Sequence, residues 1–282
     1  MVEVKYKARL GNNLFQYCLG RIIAEELGYE LQADSISGFP NTKQKVNGAR
    51  HTEPVQVLTG QRIDFDGILA NLNSRKLVID GWFQRYEYYR PYRQKIRQWL
   101  ALDSTIQVPN VNPDIVLNVR RTDYVSLGWS LPFSYYHEAI NKALPNGGNI
   151  WIVTDDKSDP FFRQFGPWKA KLFSGTALEQ IAFMTKAPRL VLSQSTFSWW
   201  PTFLAEDQEI FAPIPSFGIW SENYEGEHPN LIERDRFTCL NCSDPDVPNT
   251  LERRYQQRRA WKRNWILGLN RKLGLSLSVP PP

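Results

Sequence analysis

Short apolar runs alternate with longer amphipathic stretches along most of the chain. The clearest runs are Ile115–Val119, Ile150–Thr154 and residues 190–192, which are too short for helices and rich in β-branched side chains. The stretches between them carry helix-start signals, such as the capping-box spacing of Thr176 and Glu179. Strands that alternate with helices in this way predict an α/β fold, in which helices cover parallel sheets and the crossovers are right-handed.

The amino-terminal part begins with the same alternation. Residues 2–6 follow a strand pattern, and an amphipathic helix then runs to Gly28, a glycine of the kind that caps helix ends. Asn12 or Asn13 is the expected cap at the start of this helix. These residues could serve the turn alone, or the exposed amides of the helix end could meet a ligand. Residues 35–73 have weak periodicity and predict little.

The length and charge distribution divide the chain into three parts. With 282 residues it can form two domains, and Pro109 and Pro113 mark a plausible linker between them. We therefore predict an amino-terminal domain over residues 1–105, a second domain over 106–250, and a basic tail over 251–282. The tail carries eight basic residues against one acid, a net charge of +7 that leaves −2 for the rest. The slightly acidic body does not suit a nucleic-acid partner.

The cysteines and the apolar runs bear on location. Three cysteines form no disulfide framework, which favours a reducing, cytoplasmic compartment. Cys239 and Cys242 make a C-x-x-C without further ligands, so a metal or redox role is a minor alternative. No apolar run approaches the roughly 18 residues of a membrane span, and the amino terminus lacks a signal-peptide pattern.

The basic tail predicts an amphipathic helix. Trp265, Leu269 and Leu273 recur every four residues among arginines and lysines. Residues 251–275 could lie peripherally on an anionic inner-membrane surface, where tryptophan and basic side chains favour the interface. Alternatively, the helix packs back across the amino-terminal domain. The sequence leaves both interpretations open.

Polar side chains follow three of the predicted strands. They are Arg120, Arg121 and Asp123 after the first strand, Asp155 and Asp156 after the second, and Ser193, Ser195 and Thr196 after the third. The carboxyl ends of parallel strands share one edge of a sheet, so these groups are expected to meet in one crevice. Arginine forks, hydroxyls and helix amides suit a diphosphate, whereas carboxylates suit ribose hydroxyls or a base. One or both arginines could instead be structural partners of Asp123. Neither a Walker pattern nor G-x-G-x-x-G is present.

Five ordered motifs between about residue 8 and residue 215 carry a family resemblance. Residues 118–124, NVRRTDY, resemble the arginine motif shared by α-1,2-, α-1,6- and protein O-fucosyltransferases. Residues 10–17, LGNNLFQY, resemble the amino-terminal signature of the α-1,2-fucosyltransferases, glycosyltransferase family eleven. Residues 81–84, 154–156 and 195–200 follow in the order of that family.

This resemblance implies a GT-B-like pair of Rossmann-type domains with parallel sheets, in which residues 1–105 form the acceptor-side domain and residues 106–250 the nucleotide-sugar-binding domain. It also implies GDP-β-L-fucose as the donor, inversion at the fucose anomeric carbon, and no required metal or other cofactor. Arg120 matches the arginine that holds the β-phosphate, and Ser195 and Thr196 match phosphate contacts. Glu179 lies near a carboxylate position associated with the guanine base, although a capping box alone would explain it. Asn118 stands where the family usually has histidine, a departure that affects the base contacts.

The resulting functional prediction is transfer of L-fucose to the 2-hydroxyl of a galactose-terminated glycan. The alternatives are a non-catalytic glycan-binding protein and a transferase for another nucleotide sugar. The predicted catalytic residues are Arg120, Asp123 and Asn12, and for Asp123 an ion pair with an arginine is favoured over a role as base. The predicted nucleotide-sugar ligands are Asn118, Arg120, Arg121, Asp155, Asp156, Glu179, Ser193, Ser195, Thr196 and Phe197.

Two other residue types could contribute to a sugar site. The D-x-D spacings at residues 64–66 and 244–246 mimic those of metal-dependent transferases, but a pair of acids in a loop is the favoured interpretation. Tryptophans 82, 129, 199 and 200 could stack on sugar rings or fill the core. Of these, Trp129 is the preferred residue for the acceptor side.

Overall fold

Two parallel β-sheets covered by helices form the framework of the molecule. The computed structural model describes residues 1–71, 73–222, 224, 229–273 and 276–279. Within helix Thr250–Leu273, the side chains of Leu269, Lys272 and Leu273 fall outside this description, so the predicted stripe of Leu269 and Leu273 lies outside the described residues.

The first sheet has four parallel strands in the order β2-β1-β4-β3. Its strands are β1 Val2–Val4, β2 Leu31–Gln32, β3 Val55–Leu58 and β4 Lys76–Ile79. The helices of this part are α1 Leu10–Leu27, α2 Phe65–Ala70, α3 Tyr86–Tyr89 and α4 Arg93–Trp99, with 3₁₀ turns at Pro40–Lys43 and Arg90–Tyr92. Helix α1 is buried along most of its length because apolar residues occupy nearly its whole circumference.

The second sheet has six parallel strands in the order β10-β9-β8-β5-β6-β7. Its strands are β5 Ile115–Val119, β6 Ile150–Thr154, β7 Lys171–Phe173, β8 Arg189–Val191, β9 Glu209–Pro215 and β10 Phe237–Cys242. The helices are α5 Thr122–Ser126, α6 Phe133–Ala143, α7 Ala177–Lys186, α8 Thr196–Leu204 and α9 Thr250–Leu273, with a 3₁₀ helix at Pro160–Trp168.

This topology confirms the predicted fold class, α/β with two Rossmann-type parallel sheets. Strand β5 lies between β6 and β8, so the three strand ends that carry the predicted polar groups are neighbours. Strand order reverses at β5, and such a switch point opens a crevice at the carboxyl ends of the strands. Residues 101–114, which include the predicted domain boundary, contain no strand or helix.

Several local predictions are confirmed. Strands β5 and β6 have the bounds that the apolar runs predicted. Gly28 ends α1 with a left-handed backbone, φ 65°, which a glycine adopts without strain. Thr176 and Glu179 form a reciprocal capping box at the start of α7.

Other local predictions are wrong. Helix α1 begins at Leu10, so Asn12 and Asn13 lie in its first turn and neither caps it. Strand β10 was not expected, because its residues Phe237–Cys242 lack a continuous apolar run. The strand is recognisable only through its parallel pairing with β9.

A single hydrophobic cluster joins the two sheets into one packed body. The Phe15 ring of α1 lies 5.1 Å from the Trp199 ring and 4.6 Å from the Trp200 ring of α8, measured between centroids. The Trp200 indole N–H donates to the Gly11 carbonyl oxygen at 2.8 Å. Helix α4 also packs on α8, where Arg93 donates to the Thr202 carbonyl at 2.9 Å. This packing fixes the first turns of α1 and α8 beside each other.

The basic tail forms α9, whose first half packs on the carboxy-terminal domain. It contacts the 3₁₀ helix Pro160–Trp168, where Gln256 donates to Asp159 at 2.7 Å. The Tyr255 hydroxyl donates to Asp156 at 2.9 Å. The predicted alternative, packing across the amino-terminal domain, is therefore corrected, because the acids that hold the helix belong to the second domain.

Candidate active site

A cavity of about 590 Å³ lies between the two domains at the carboxyl ends of β5 and β6. Its lining comes from residues 8–12, 61, 82 and 84 on the amino-terminal side, and from residues 118, 120, 123, 124, 129, 155, 177, 180, 194–197, 219, 220 and 224 on the other side. Among the described lining residues, the formal charges are those of Arg9, Arg120, Asp123 and Asp155, which balance.

Arg120 follows the last residue of β5 and lines this cavity. Its guanidinium donates to Asp123 at 2.8 Å, approaches Asp155 at 3.2 Å, and stacks over the Tyr124 ring at 4.9 Å. The Nε–H is buried and has no acceptor among the described residues. Burial lowers the pKa of Arg120, but Asp155, Tyr124 and Asp123 together raise it by more. The net shift of the pKa is upward, so the guanidinium stays charged. Arg120 is thus a fixed cation with one unused donor.

Asp123 is committed to that ion pair. Besides Arg120, it accepts from the Thr122 hydroxyl at 2.8 Å, and Arg9 lies 3.8 Å away. Burial raises the pKa of Asp123, but Arg120, Thr122 and Arg9 lower it by more, so the net shift is downward. A carboxylate with a lowered pKa is a weak base. The geometry therefore agrees with the ion-pair interpretation.

The amino-terminal ends of two helices meet at the cavity. Ser195 caps α8 by accepting from the Phe197 amide at 3.2 Å, which leaves Thr196 in the first turn. A Cβ placed on Gly11 of α1 would lie 2.8 Å from the Phe197 nitrogen and 2.8 Å from the Thr196 hydroxyl. Only glycine allows this approach. Because both helix dipoles direct their positive ends here, the site favours an anion.

Asn12 links the two domains within this site. Its side-chain oxygen accepts from the Gln84 amide at 3.0 Å and from the Thr196 hydroxyl at 3.0 Å. Gln84 belongs to the amino-terminal domain and Thr196 to α8. The Gln84 side-chain oxygen is buried and has no donor among the described residues. This side of the cavity therefore offers an acceptor to a ligand O–H or N–H.

Asn118 and Ser193 form a buried pair below the cavity. The Ser193 hydroxyl donates to the Asn118 side-chain oxygen at 2.6 Å, and both residues are buried. Asn118 lines the cavity, whereas Ser193 does not. Ser193 thus orients Asn118 from behind.

Arg121 and Asp156, in contrast, are turned away from the cavity. Arg121 is fully buried and pairs with Asp159 at 3.0 Å, Asp246 at 2.6 Å and Glu252 at 3.4 Å. Asp156 accepts from the tail, and neither residue lines the cavity. The predicted pairing of Arg120 with Arg121 on a ligand is corrected here, because a strand end directs successive side chains to opposite sides.

Of the remaining predicted ligands, Asp155 and Phe197 line the cavity, and Glu179 does not. Asp155 accepts from the Arg121 backbone amide at 2.9 Å, and it shares the one proton of the Thr122 hydroxyl, 2.5 Å away, with Asp123. The Glu179 carboxylate accepts from the Thr176 amide at 2.6 Å, which completes the capping box. Its neighbours Ala177 and Gln180 line the cavity instead.

Sequence reasoning missed several lining residues. Gln84 belongs to the motif of residues 81–84, but no role was predicted for it. Arg9 directly precedes the LGNN segment and was not predicted as a site residue. Gln194 is fully buried and accepts from the Trp220 amide at 3.3 Å, while its own amide donates to the Trp129 carbonyl at 3.1 Å. Position within a motif could have indicated Gln84. For Gln194 and Trp220, which come together only in the folded chain, the sequence holds no such signal.

The four tryptophans considered for sugar stacking separate into two groups. Trp199 and Trp200 are fully buried in the interdomain core and cannot meet a ligand. Trp82 is 38% exposed at the rim, and Trp129 packs edge-on against Tyr124. Both line the cavity.

The D-x-D acids serve other roles. Asp64 caps α2 by accepting from the Gly67 amide at 3.0 Å, and Asp246 pairs with Arg121. Within the part of the chain that the structure describes, no group of three or more acids, histidines or cysteines suits a metal ion.

Comparison with known proteins gives distant structural likenesses. No protein-family model and no curated protein matches the chain. A fucosyltransferase NodZ from Bradyrhizobium is similar at 13% identity with a TM-score of 0.46, over 72% of this chain and 91% of that one. NodZ α-1,6-fucosyltransferase soaked with GDP-fucose is similar at 14% identity with a TM-score of 0.46, over 72% of this chain and 92% of that one. The ADP-heptose LPS heptosyltransferase II of E. coli is similar at 10% identity with a TM-score of 0.33, over 61% of this chain and 50% of that one.

Proposed function

We propose that the protein is an inverting glycosyltransferase that moves L-fucose from GDP-β-L-fucose to the 2-hydroxyl of a terminal β-galactoside, without a metal. The observation that carries the proposal is the meeting of Arg120 with the amino-terminal ends of α1 and α8 in an interdomain cavity. A cation with an unused N–H beside two helix ends suits a diphosphate. The motif resemblance supplies the identity of the sugar and of the linkage.

The donor diphosphate would lie against Arg120 and the first turn of α8. As the bond between the fucose anomeric carbon and the β-phosphate oxygen breaks, negative charge builds on that oxygen. The Arg120 Nε–H is the proposed donor for this charge and the amino-terminal end of α8 adds a positive helix end, so together they stabilise the transition state more than the ground state. The nucleoside would extend toward Asp155 and the start of α7, where Gln180 lines the cavity.

The acceptor would enter from the amino-terminal side. Its 2-hydroxyl oxygen attacks the anomeric carbon on the face opposite to the diphosphate, GDP leaves with the electron pair of the broken bond, and the hydroxyl proton passes to water. The buried Gln84 oxygen is placed to accept a hydrogen bond from the acceptor sugar, and Trp82 offers an exposed ring for stacking. Because the pKa of Asp123 is lowered, the proposal assigns Asp123 to holding Arg120 rather than to removing the proton.

The test is nucleotide release with a panel of donors, in the presence and absence of EDTA. GDP-fucose, GDP-mannose, UDP-galactose and ADP-heptose are each offered with and without lactose. We expect lactose-dependent GDP release from GDP-fucose alone, unchanged by EDTA, and an α-1,2-linked product by NMR. Turnover of another nucleotide sugar alone would assign the site to a different donor, an α-1,6 product would overturn the linkage, and binding without turnover would indicate a glycan-binding protein.

A further inference from the structure

Helix α9 presents two different faces. At 3.6 residues per turn, the centres of the two faces lie about 120° apart around the helix axis. The packed face carries Glu252, Tyr255, Gln256, Arg259 and Ile266, which are buried or half-buried. The outer face carries Leu251, Arg254, Arg258, Trp261, Lys262 and Trp265, which are all exposed and project within about 100° of one another.

The packed face is held by acids of the carboxy-terminal domain. Glu252, the only acid of the helix, pairs with Arg121, and Arg259 pairs with Asp156 at 3.0 Å. The outer face therefore contains no carboxylate. Its charge is entirely positive, and the helix cannot rotate to bury it without breaking these pairs.

Two tryptophans dominate the outer face. Trp261 is 68% and Trp265 54% exposed, and their rings are stacked 6.4 Å apart at an interplanar angle of 14°. Large apolar rings are rarely left in water on a soluble surface, so adjacent exposed rings indicate an interaction site. Tryptophan flanked by arginine and lysine is the composition that favours the boundary between lipid headgroups and acyl chains.

We propose that this outer face is a binding surface for anionic phospholipid, on which α9 lies parallel to the membrane plane. The exposed basic side chains are opposite in charge to such a surface. The outer face of a helix is convex, so it can lie on a plane. Sites that bind single-stranded nucleic acid combine a cationic groove with separate aromatic rings on which the bases stack. On this outer face, the two rings stack on each other instead. Among the described residues, no helix is long and apolar enough to cross a bilayer, so the contact is peripheral.

The experiment is sedimentation of the full chain with vesicles of phosphatidylglycerol and phosphatidylcholine, or of phosphatidylcholine alone. The test variant reverses three charges on the outer face: Arg254→Glu, Arg258→Glu and Lys262→Glu. The matched control reverses three exposed charges on the amino-terminal domain: Lys43→Glu, Lys45→Glu and Arg50→Glu. We expect salt-sensitive binding to the anionic vesicles, a fall of about 10²-fold or more for the test variant, and near wild-type binding for the control.

A second variant, Trp261→Ser with Trp265→Ser, keeps the charge and removes the rings. It should bind at least about tenfold more weakly and lose the blue shift of tryptophan fluorescence that vesicles induce in the wild type. Absence of wild-type binding at low salt would overturn the proposal. Equal losses in both charge variants, or tighter binding to single-stranded DNA or polyglutamate than to anionic vesicles, would also overturn it.

Discussion

The substitution Arg120→Lys keeps the positive charge at the end of β5 and removes the guanidinium fork. In the structure, one nitrogen of the fork donates to Asp123 at 2.8 Å, another lies 3.2 Å from Asp155, and the third, Nε, is buried without an acceptor among the described residues. A lysine ammonium is a single point that cannot span both carboxylates and still donate to a phosphate. We expect it to remain with the carboxylates.

The expected loss is that of one positioned donor to the leaving oxygen. Such losses lower kcat by about 10²–10³, or about 2.7–4 kcal/mol of transition-state stabilisation. The measurement is GDP release from GDP-fucose with lactose, at saturating donor, alongside thermal unfolding. Because the ion pairs remain, we expect the variant to stay folded.

The matched control is Arg50→Lys, the same exchange at an exposed position whose nearest acid, Glu30, is 3.9 Å away. It should retain wild-type turnover. If Arg120→Lys is folded and turns over within about threefold of wild type, the guanidinium fork has no role in the chemistry, because one lost donor should cost at least about 10². The charge alone, or the helix ends, would then hold the diphosphate.

Three other expectations concern different parts of the site. Gly11→Ala drives a methyl group against α8 and should destabilise the fold by about 1–3 kcal/mol in urea unfolding, while Gly166→Ala, which meets no atom within 4 Å, should not. Gln84→Ala should raise the KM for lactose at least tenfold and leave acceptor-free hydrolysis of GDP-fucose unchanged; an equal loss of hydrolysis would place Gln84 on the donor side. Burial and the neighbouring Asp246 raise the pKa of Glu252 above its usual 4.5, so its ionisation opposes folding and stability should fall as the pH rises above about 4.5. Because burial also raises the pKa of Asp246, Glu252→Gln should reduce that slope without abolishing it, and an unchanged slope would exclude Glu252 as a source.

The parts of the fold set by local pattern were predictable. The bounds of β5 and β6 followed from five-residue apolar runs that end at charged or acidic residues. The alternation of strands and helices gave the parallel sheets. The start of α1 was not predictable from its asparagines, because tertiary contact with α8, rather than a side-chain cap, fixes its first turn.

The site was predictable up to the point where partners come from distant parts of the chain. Arg120 and Thr196 lie where strand ends placed them. Arg121 could not be separated from Arg120 by sequence, because its partners Asp246 and Glu252 are 125 and 131 residues away. The same holds for the oxygen of Asn12, whose donors are 72 and 184 residues distant.

The shared oxygen of Asn12 has a thermodynamic consequence. Separating the domains breaks its bond to Thr196 and leaves its bond to Gln84, so the open form loses the arrangement that favours an anion. Any ligand that prefers the closed form must then shift the equilibrium toward closure by its difference in affinity for the two forms. A nucleotide should therefore slow amide hydrogen exchange in the first turn of α1 as well as in α8, although the two helices pack on different sheets.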